Sequence, residues 1–153
     1  YLANDFGRNC LYQNQGVEPG KLPFFINIAG PLGIEDSAAG MSTNWGDFNR
    51  DGWMDLYVSN MFSSAGSRVT EQNRFLKKLE HDQNAAGTFR RMARGNSLFA
   101  ANGKGGFTDL SIQTKTNMAR WCWGSTFADL NNDGWLDILG ANGFVTAEDT
   151  GDL

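Results

Sequence analysis

The chain reads as mainly β: consecutive four-stranded blades of a β-propeller, a partial ring of roughly two to three blades, carrying a helical insertion. Three observations predict this. Glycine is abundant, at 19 of 153 residues, and proline scarce, at 3, a balance that speaks for many turns and few long helices. Short apolar or aromatic runs are bounded by Gly, Asn and Asp, as strands between tight turns are. The same landmarks also recur in the same order, and each such unit must stack on its neighbours to bury its sheet face.

Taken from the N-terminus, Tyr1-Leu2-Ala3-Asn4 returns as Tyr57-Val58-Ser59-Asn60 and again as Leu139-Gly140-Ala141-Asn142. Asn9-Cys10-Leu11-Tyr12 through Gly16 matches Asn96-Ser97-Leu98-Phe99 through Gly103. Phe25-Ile26-Asn27-Ile28 pairs with Phe107-Thr108-Asp109-Leu110, and 22 residues separate Phe25 from Asp47 and Phe107 from Asp129 alike. The period is 56 residues for the first unit and 82 for the second. The whole of 1–153 therefore reads as a fragment of one propeller domain. Its repeat units are about 1–56 and 57–138, with a partial unit at 139–153. The chain opens on Tyr inside a pattern, as a piece of a longer protein would.

The difference in period lies at about 61–95, the helical insertion. Val69, Leu76 and Leu79 fall near one face at helical spacing within 67–82, with Phe75 beside them. A second short helix is expected over Ala85–Ala93, broken from the first near Gly87. Between Arg68 and Arg94, seven Arg or Lys face three Asp or Glu. That excess suits a solvated helical excursion, or a basic patch for an anionic partner.

Composition excludes much chemistry. No apolar run is long enough to span a membrane. Two cysteines and one histidine rule out a disulfide-dense scaffold, an all-cysteine zinc site and His-rich metal sites. The net charge of −4 is local in origin. Six of the 17 acidic residues lie in two nine-residue windows, and without them 11 acids face 13 bases.

Those windows carry the chemistry. They run from Asp47 to Asp55 and from Asp129 to Asp137, both as D-x-N-x-D-G-x-x-D with Trp at the seventh position. Oxygens at positions 1, 3 and 5 of a tight loop converge on one point, as a hard cation requires. The candidate ligands are Asp47, Asn49, Asp51, the Trp53 carbonyl and Asp55 in the first loop. In the second they are Asp129, Asn131, Asp133, the Trp135 carbonyl and Asp137. All-oxygen, carboxylate-rich donors favour Ca2+ over zinc or copper, so two Ca2+ sites are expected. An EF-hand would need Glu at position 12, where Val58 and Gly140 stand, and helices on both sides. Here Asp55 runs directly into Leu-Tyr-Val, a strand signal.

Gly46 through Val58 resembles the repeat of FG-GAP (VCBS-type) β-propellers, known from integrin α-subunits. Asn96-Ser97-Leu98-Phe99, Gly103 and Gly106-Phe107-Thr108-Asp109 resemble the variant of cartilage-acidic-protein-like proteins. The resemblance covers nearly all of the chain outside 61–95. It implies a calcium-loaded propeller, usually of about seven blades, in secreted or surface proteins, hence an extracytoplasmic location. Its loop positions carry over onto the ten residues named above.

The remaining residues read as structural. His81 is expected to be exposed and uninvolved in catalysis. Trp45, Trp121 and Trp123 are expected in the core between blades, with a sugar-stacking face as the alternative. Cys10 and Cys122 suit either a disulfide or two free buried thiols. Arg90, Arg91 and Arg94 form a basic cluster with no interleaved aromatics, so no nucleic-acid partner is expected. The expected function is a non-enzymatic, calcium-stabilised module for extracellular binding, adhesion or scaffolding. Its partners would be the remaining blades or other subunits, and a protein or carbohydrate ligand. The alternative is a non-catalytic accessory part of a larger exported metal-dependent hydrolase, since the chain shows no nucleophile elbow and no phosphate loop.

Overall fold

A computed structural model describes residues 1–78 and 83–143. The protein is mainly β, with antiparallel sheets and a few short helices. Strands β1 (Tyr12–Asn14) and β2 (Phe25–Asn27) form a hairpin, and the short helix α1 (Ala29–Leu32) follows. Next comes β3 (Gly40–Gly46), then β4 (Asp55–Asn60). Helices α2 (Ser64–Thr70), α3 (Asn73–Lys78) and α4 (Gln83–Arg94) lead to β5 (Ser97–Ala101) and β6 (Phe107–Asp109). The chain then returns as β7 (Cys122–Ala128) and β8 (Asp137–Asn142).

One sheet is a four-stranded meander in the order β3-β4-β5-β6, flanked by the two-stranded sheets β1-β2 and β7-β8. The hairpins β3-β4 and β7-β8 are copies down to their irregularities. Gly46 pairs with Asp55 and Ala128 with Asp137, and each first strand shifts register near its start, between Gly40 and Ser42 or between Cys122 and Gly124.

Strand β4 is buried along its whole length, because its two faces, alternating with period two, are covered by different parts of the chain. Leu56 and Val58 join Ala29, Ile34 and Phe99 in the core, with Tyr1, Ala3, Leu11, Leu32 and Phe107 packed around them. Full burial of a side chain such as Leu56 is worth about 1.5–3 kcal/mol. On the opposite face Tyr57 meets Phe127 of β7 edge-on at 6.2 Å, and the Ser59 hydroxyl donates to Ser125 Oγ at 2.7 Å. Ser125 also donates its amide to Ser42 Oγ at 3.0 Å and accepts from Asn44 Nδ2. Gly46 is required where β3 crosses Phe127, since a Cβ there would stand 2.7 Å from the ring.

The matched landmarks hold matched hydrogen bonds. Asn9 Oδ1 accepts the Asn4 amide and Asn96 Oδ1 the Asn60 amide, both at 2.7 Å. The Tyr1 hydroxyl donates to the Ile34 carbonyl, and the Tyr57 hydroxyl to that of Thr116. Ile28 N donates to Leu11 O, and Leu110 N to Leu98 O, both at 2.8 Å. Asn96 therefore closes β4 by accepting the amide of its last residue, Asn60, and Asn9 accepts the matching Asn4 amide.

Between β4 and β5 the structure departs from expectation in two places. The first helical stretch is two helices, broken at 71–72, and α4 runs unbroken through Gly87. A glycine inside a helix costs only about 1 kcal/mol, and Gly87 has open space around it. Tertiary contacts hold the helix instead: Phe75 packs edge-on against Phe89 at 5.7 Å, and its last turn is pinned by arginine pairs. Helix α2 is capped by Ser63, whose hydroxyl accepts the Gly66 amide at 2.9 Å. Leu79 and His81 lie outside the described residues.

The three tryptophans expected in the core are not there. Trp45, Trp121 and Trp123 are between 36% and 49% exposed. Trp45 lies edge-on to Phe107, and Trp121 to Trp123. Trp45 belongs to β3 and Trp123 to β7, and Trp121 directly precedes β7. Apolar burial belongs instead to β4, β5 and α1. Both cysteines are free thiols. No described helix is long and apolar enough to cross a membrane.

Candidate functional site

The two acidic windows form the β3-β4 and β7-β8 connections and fold into the same loop. In the first, Asp47 Oδ1 accepts the Asp51 amide at 3.0 Å and its Oδ2 the Gly52 amide at 2.9 Å. In the second, Asp129 accepts the Asp133 and Gly134 amides at 3.1 and 2.8 Å. Asn49 and Asn131 accept those same Asp amides through Oδ1, at 3.0 and 3.1 Å, and donate from Nδ2 to Asp51 and Asp133 at 2.9 Å. Asp51 then accepts the Trp53 amide, and Asp133 that of Trp135. The backbone turns through left-handed φ at Arg50 (58°) and Gly52 (87°), and at Asn132 (58°) and Gly134 (84°). Gly52 and Gly134 supply the positive φ that the turn demands.

All ten expected ligand residues are thus brought into two loops of one geometry. Among the described residues, however, no three His, Cys, Asp or Glu side chains converge into a group that could hold a metal ion as they stand. The loop carboxylates accept backbone amides instead. The donor set still fits a hard cation: every candidate atom is an oxygen, and each carboxylate oxygen carries a second lone pair.

The loops differ in their surroundings. Asp55 is fully buried, accepting the Phe48 amide at 3.2 Å and the Ala101 amide of β5 at 2.8 Å. Burial, reinforced by the charges of Asp51 and Asp47, pushes its carboxyl above the usual range against those two amides. Asp137, half-buried, accepts the Leu130 amide at 3.1 Å. The Asp133 carboxyl lies below the usual range, held down by the Trp135 amide, then by Asn131 and the Arg50 charge. Trp53 lies against the turn at Gly103, where an added Cβ would meet its Nε1 at 3.1 Å.

Sequence reasoning missed a second polar centre. Asp36, 1% exposed, pairs with Arg91 of α4 at 2.6 Å and accepts from Ser97 at 2.6 Å and Asn60 at 3.2 Å. Arg94 pairs likewise with Asp109 at 2.5 Å. Two of the seven cations counted toward a basic patch are therefore paired with carboxylates, Arg91 in a buried place and Arg94 at the surface. A lone Asp in the connection between α1 and β3 gave no periodic signal that could have found this pairing.

The Asp109 carboxyl is raised by burial but lowered more by Ser111 and Arg94, so its net pKa lies below the usual range. Its contribution to stability is complete above the unfolded pKa and is lost as pH falls through the lower folded value. Asp109→Asn is expected to flatten that part of the acid limb in thermal melts between about pH 6 and about pH 2. An unchanged limb would mean that the pair adds nothing.

A cleft lies between the turn at 5–8 and α4, bordered by Arg8, Glu35, Thr88 and Met92. None of the ten loop residues lines it. Residues 83–140 match the FG-GAP-like repeat family, a span containing the second loop but not the first. No curated protein and no solved structure matches the chain.

Proposed function

We propose that this chain is a non-catalytic, calcium-binding segment of a β-propeller, serving extracellular binding, adhesion or scaffolding. The observation that carries the reading is the recurrence of one loop, hydrogen bond for hydrogen bond, in two hairpins that differ in sequence around it. The FG-GAP-like match over 83–140 supports a module of propeller type, and repeats of that class are generally not enzymes. In this reading the meander β3-β4-β5-β6 is one blade, and the sheets on either side belong to its neighbours.

Asp47, Asn49, Asp51, the Trp53 carbonyl and Asp55 would hold one Ca2+. Asp129, Asn131, Asp133, the Trp135 carbonyl and Asp137 would hold the other. The ion supplies charge neutralisation. Each loop places three aspartates within nine residues, and close carboxylate pairs repel by about 1–4 kcal/mol at effective dielectrics of about 80 to 20. A bound ion removes that cost and locks the turn between two strands. Partners would be the adjoining blades and a protein or carbohydrate ligand on the loops.

The test is thermal unfolding with calcium, with chelator and with magnesium. Calcium is expected to stabilise by about 1 kcal/mol per site at extracellular levels, a rise of roughly 2–4 °C each. Magnesium should fail to substitute, and Asp51→Ala and Asp133→Ala should each lose part of the gain. Melting that ignores chelator, in protein verified to be metal-free, would overturn the reading.

A further inference from the structure

The two loops share their ligands but not their neighbours. Arg50, at the fourth position of the first loop, reaches across to the second. Its Nη2 donates to the Gly134 carbonyl, and its guanidinium carbon stands 4.6 Å from the Trp135 ring centroid. Gly134 and Trp135 directly follow Asp133, so a fixed positive charge stands on the ligand-bearing turn of the second loop. The equivalent residue there is Asn132, with the same φ of 58°. A left-handed φ suits asparagine better than arginine, and the Arg50 side chain is anchored at both its hydrogen bond and its ring contact. The first loop's own tryptophan, Trp53, lies on the Gly103 turn instead.

We propose that Arg50 sets the cation affinity of the neighbouring loop, weakening the second site without contributing a ligand to it. The inference rests on the calcium reading above. The Gly134 carbonyl is not among the expected ligands, so Arg50 and a cation are compatible, and their effect on one another is electrostatic. Like charge near a divalent ion reduces its affinity. For a unit charge a few ångströms from a divalent ion in a water-like dielectric, the reduction is about five- to tenfold.

The experiment is calcium calorimetry on the full 153-residue chain as wild type, Arg50→Gln, Arg50→Lys, Asp133→Ala and the Arg50→Gln/Asp133→Ala double variant. The Asp133→Ala chain reports the first loop alone and so identifies the second-loop component. Arg50→Gln is expected to tighten that component about five- to tenfold, while Arg50→Lys keeps the wild-type value. The double variant should bind as Asp133→Ala does. Second-loop affinity that is unchanged or weaker in Arg50→Gln overturns the proposal, leaves the calcium reading standing, and reduces Arg50 to a mechanical clip. A wild-type chain that takes up no calcium overturns both.

Discussion

Asp36→Ala is expected to cost about 3–5 kcal/mol of folding stability, the penalty for breaking a buried ion pair from one side. The Asp36 side chain is fully buried, and the Arg91 side chain is only 17% exposed. Burial by itself pulls the Arg91 guanidinium below its ordinary pKa, and Asp36 is the main group opposing that pull. Removing the carboxylate strands a cation and takes an acceptor from Ser97, Asn60 and the Ala38 amide. Urea unfolding would show the loss as a lower midpoint. The companion Asp36→Ala/Arg91→Met should be more stable than the single variant, because no charge is left behind. If Asp36→Ala unfolds within about 1 kcal/mol of wild type, the pair is hydrated and the bolt between α4 and the sheets is weak.

Asp55→Ala is expected to destabilise the protein by about 2–4 kcal/mol in chelator, and Asp137→Ala by only about 1 kcal/mol. The two residues occupy the same position of the same loop. Asp55 joins three pieces of chain, its own strand β4, the loop amide of Phe48 and the β5 amide of Ala101. Its loss leaves two backbone donors without an acceptor in a buried place. Asp137 bonds one exposed amide, which water can satisfy. Performing both measurements in chelator separates this structural role from metal binding. Equal losses would mean that the β5 contact adds nothing to Asp55.

The loops were legible because their chemistry is local. Nine consecutive residues contain the oxygens and the glycine, so spacing alone predicts a tight turn; that Asp47 takes the Gly52 amide and Asp129 the Gly134 amide came from the structure. Strands β4, β5 and β8 were legible for the same reason, as short apolar runs between turn residues. The tryptophans were misplaced because bulk predicts burial only when another surface is present to bury against. Gly87 was misread because its helix is held by Phe75, Asp36 and Asp109, all distant in sequence.

By itself, then, the sequence determined the repeat, the β character, the two loops and the oxygen chemistry of their donors. These are properties of contiguous segments, whose hydrogen bonds close within a few residues. The tertiary structure decided which matched positions are equivalent in kind but unequal in surroundings. It buried Asp55 and left Asp137 half-open, turned Arg91 inward onto Asp36, paired Arg94 with Asp109 at the surface, and set Arg50 on the neighbouring loop. The physical reason is that desolvation and charge pairing depend on what the fold brings within a few ångströms. For Arg50 and Gly134 that neighbour lies 84 residues away in the chain.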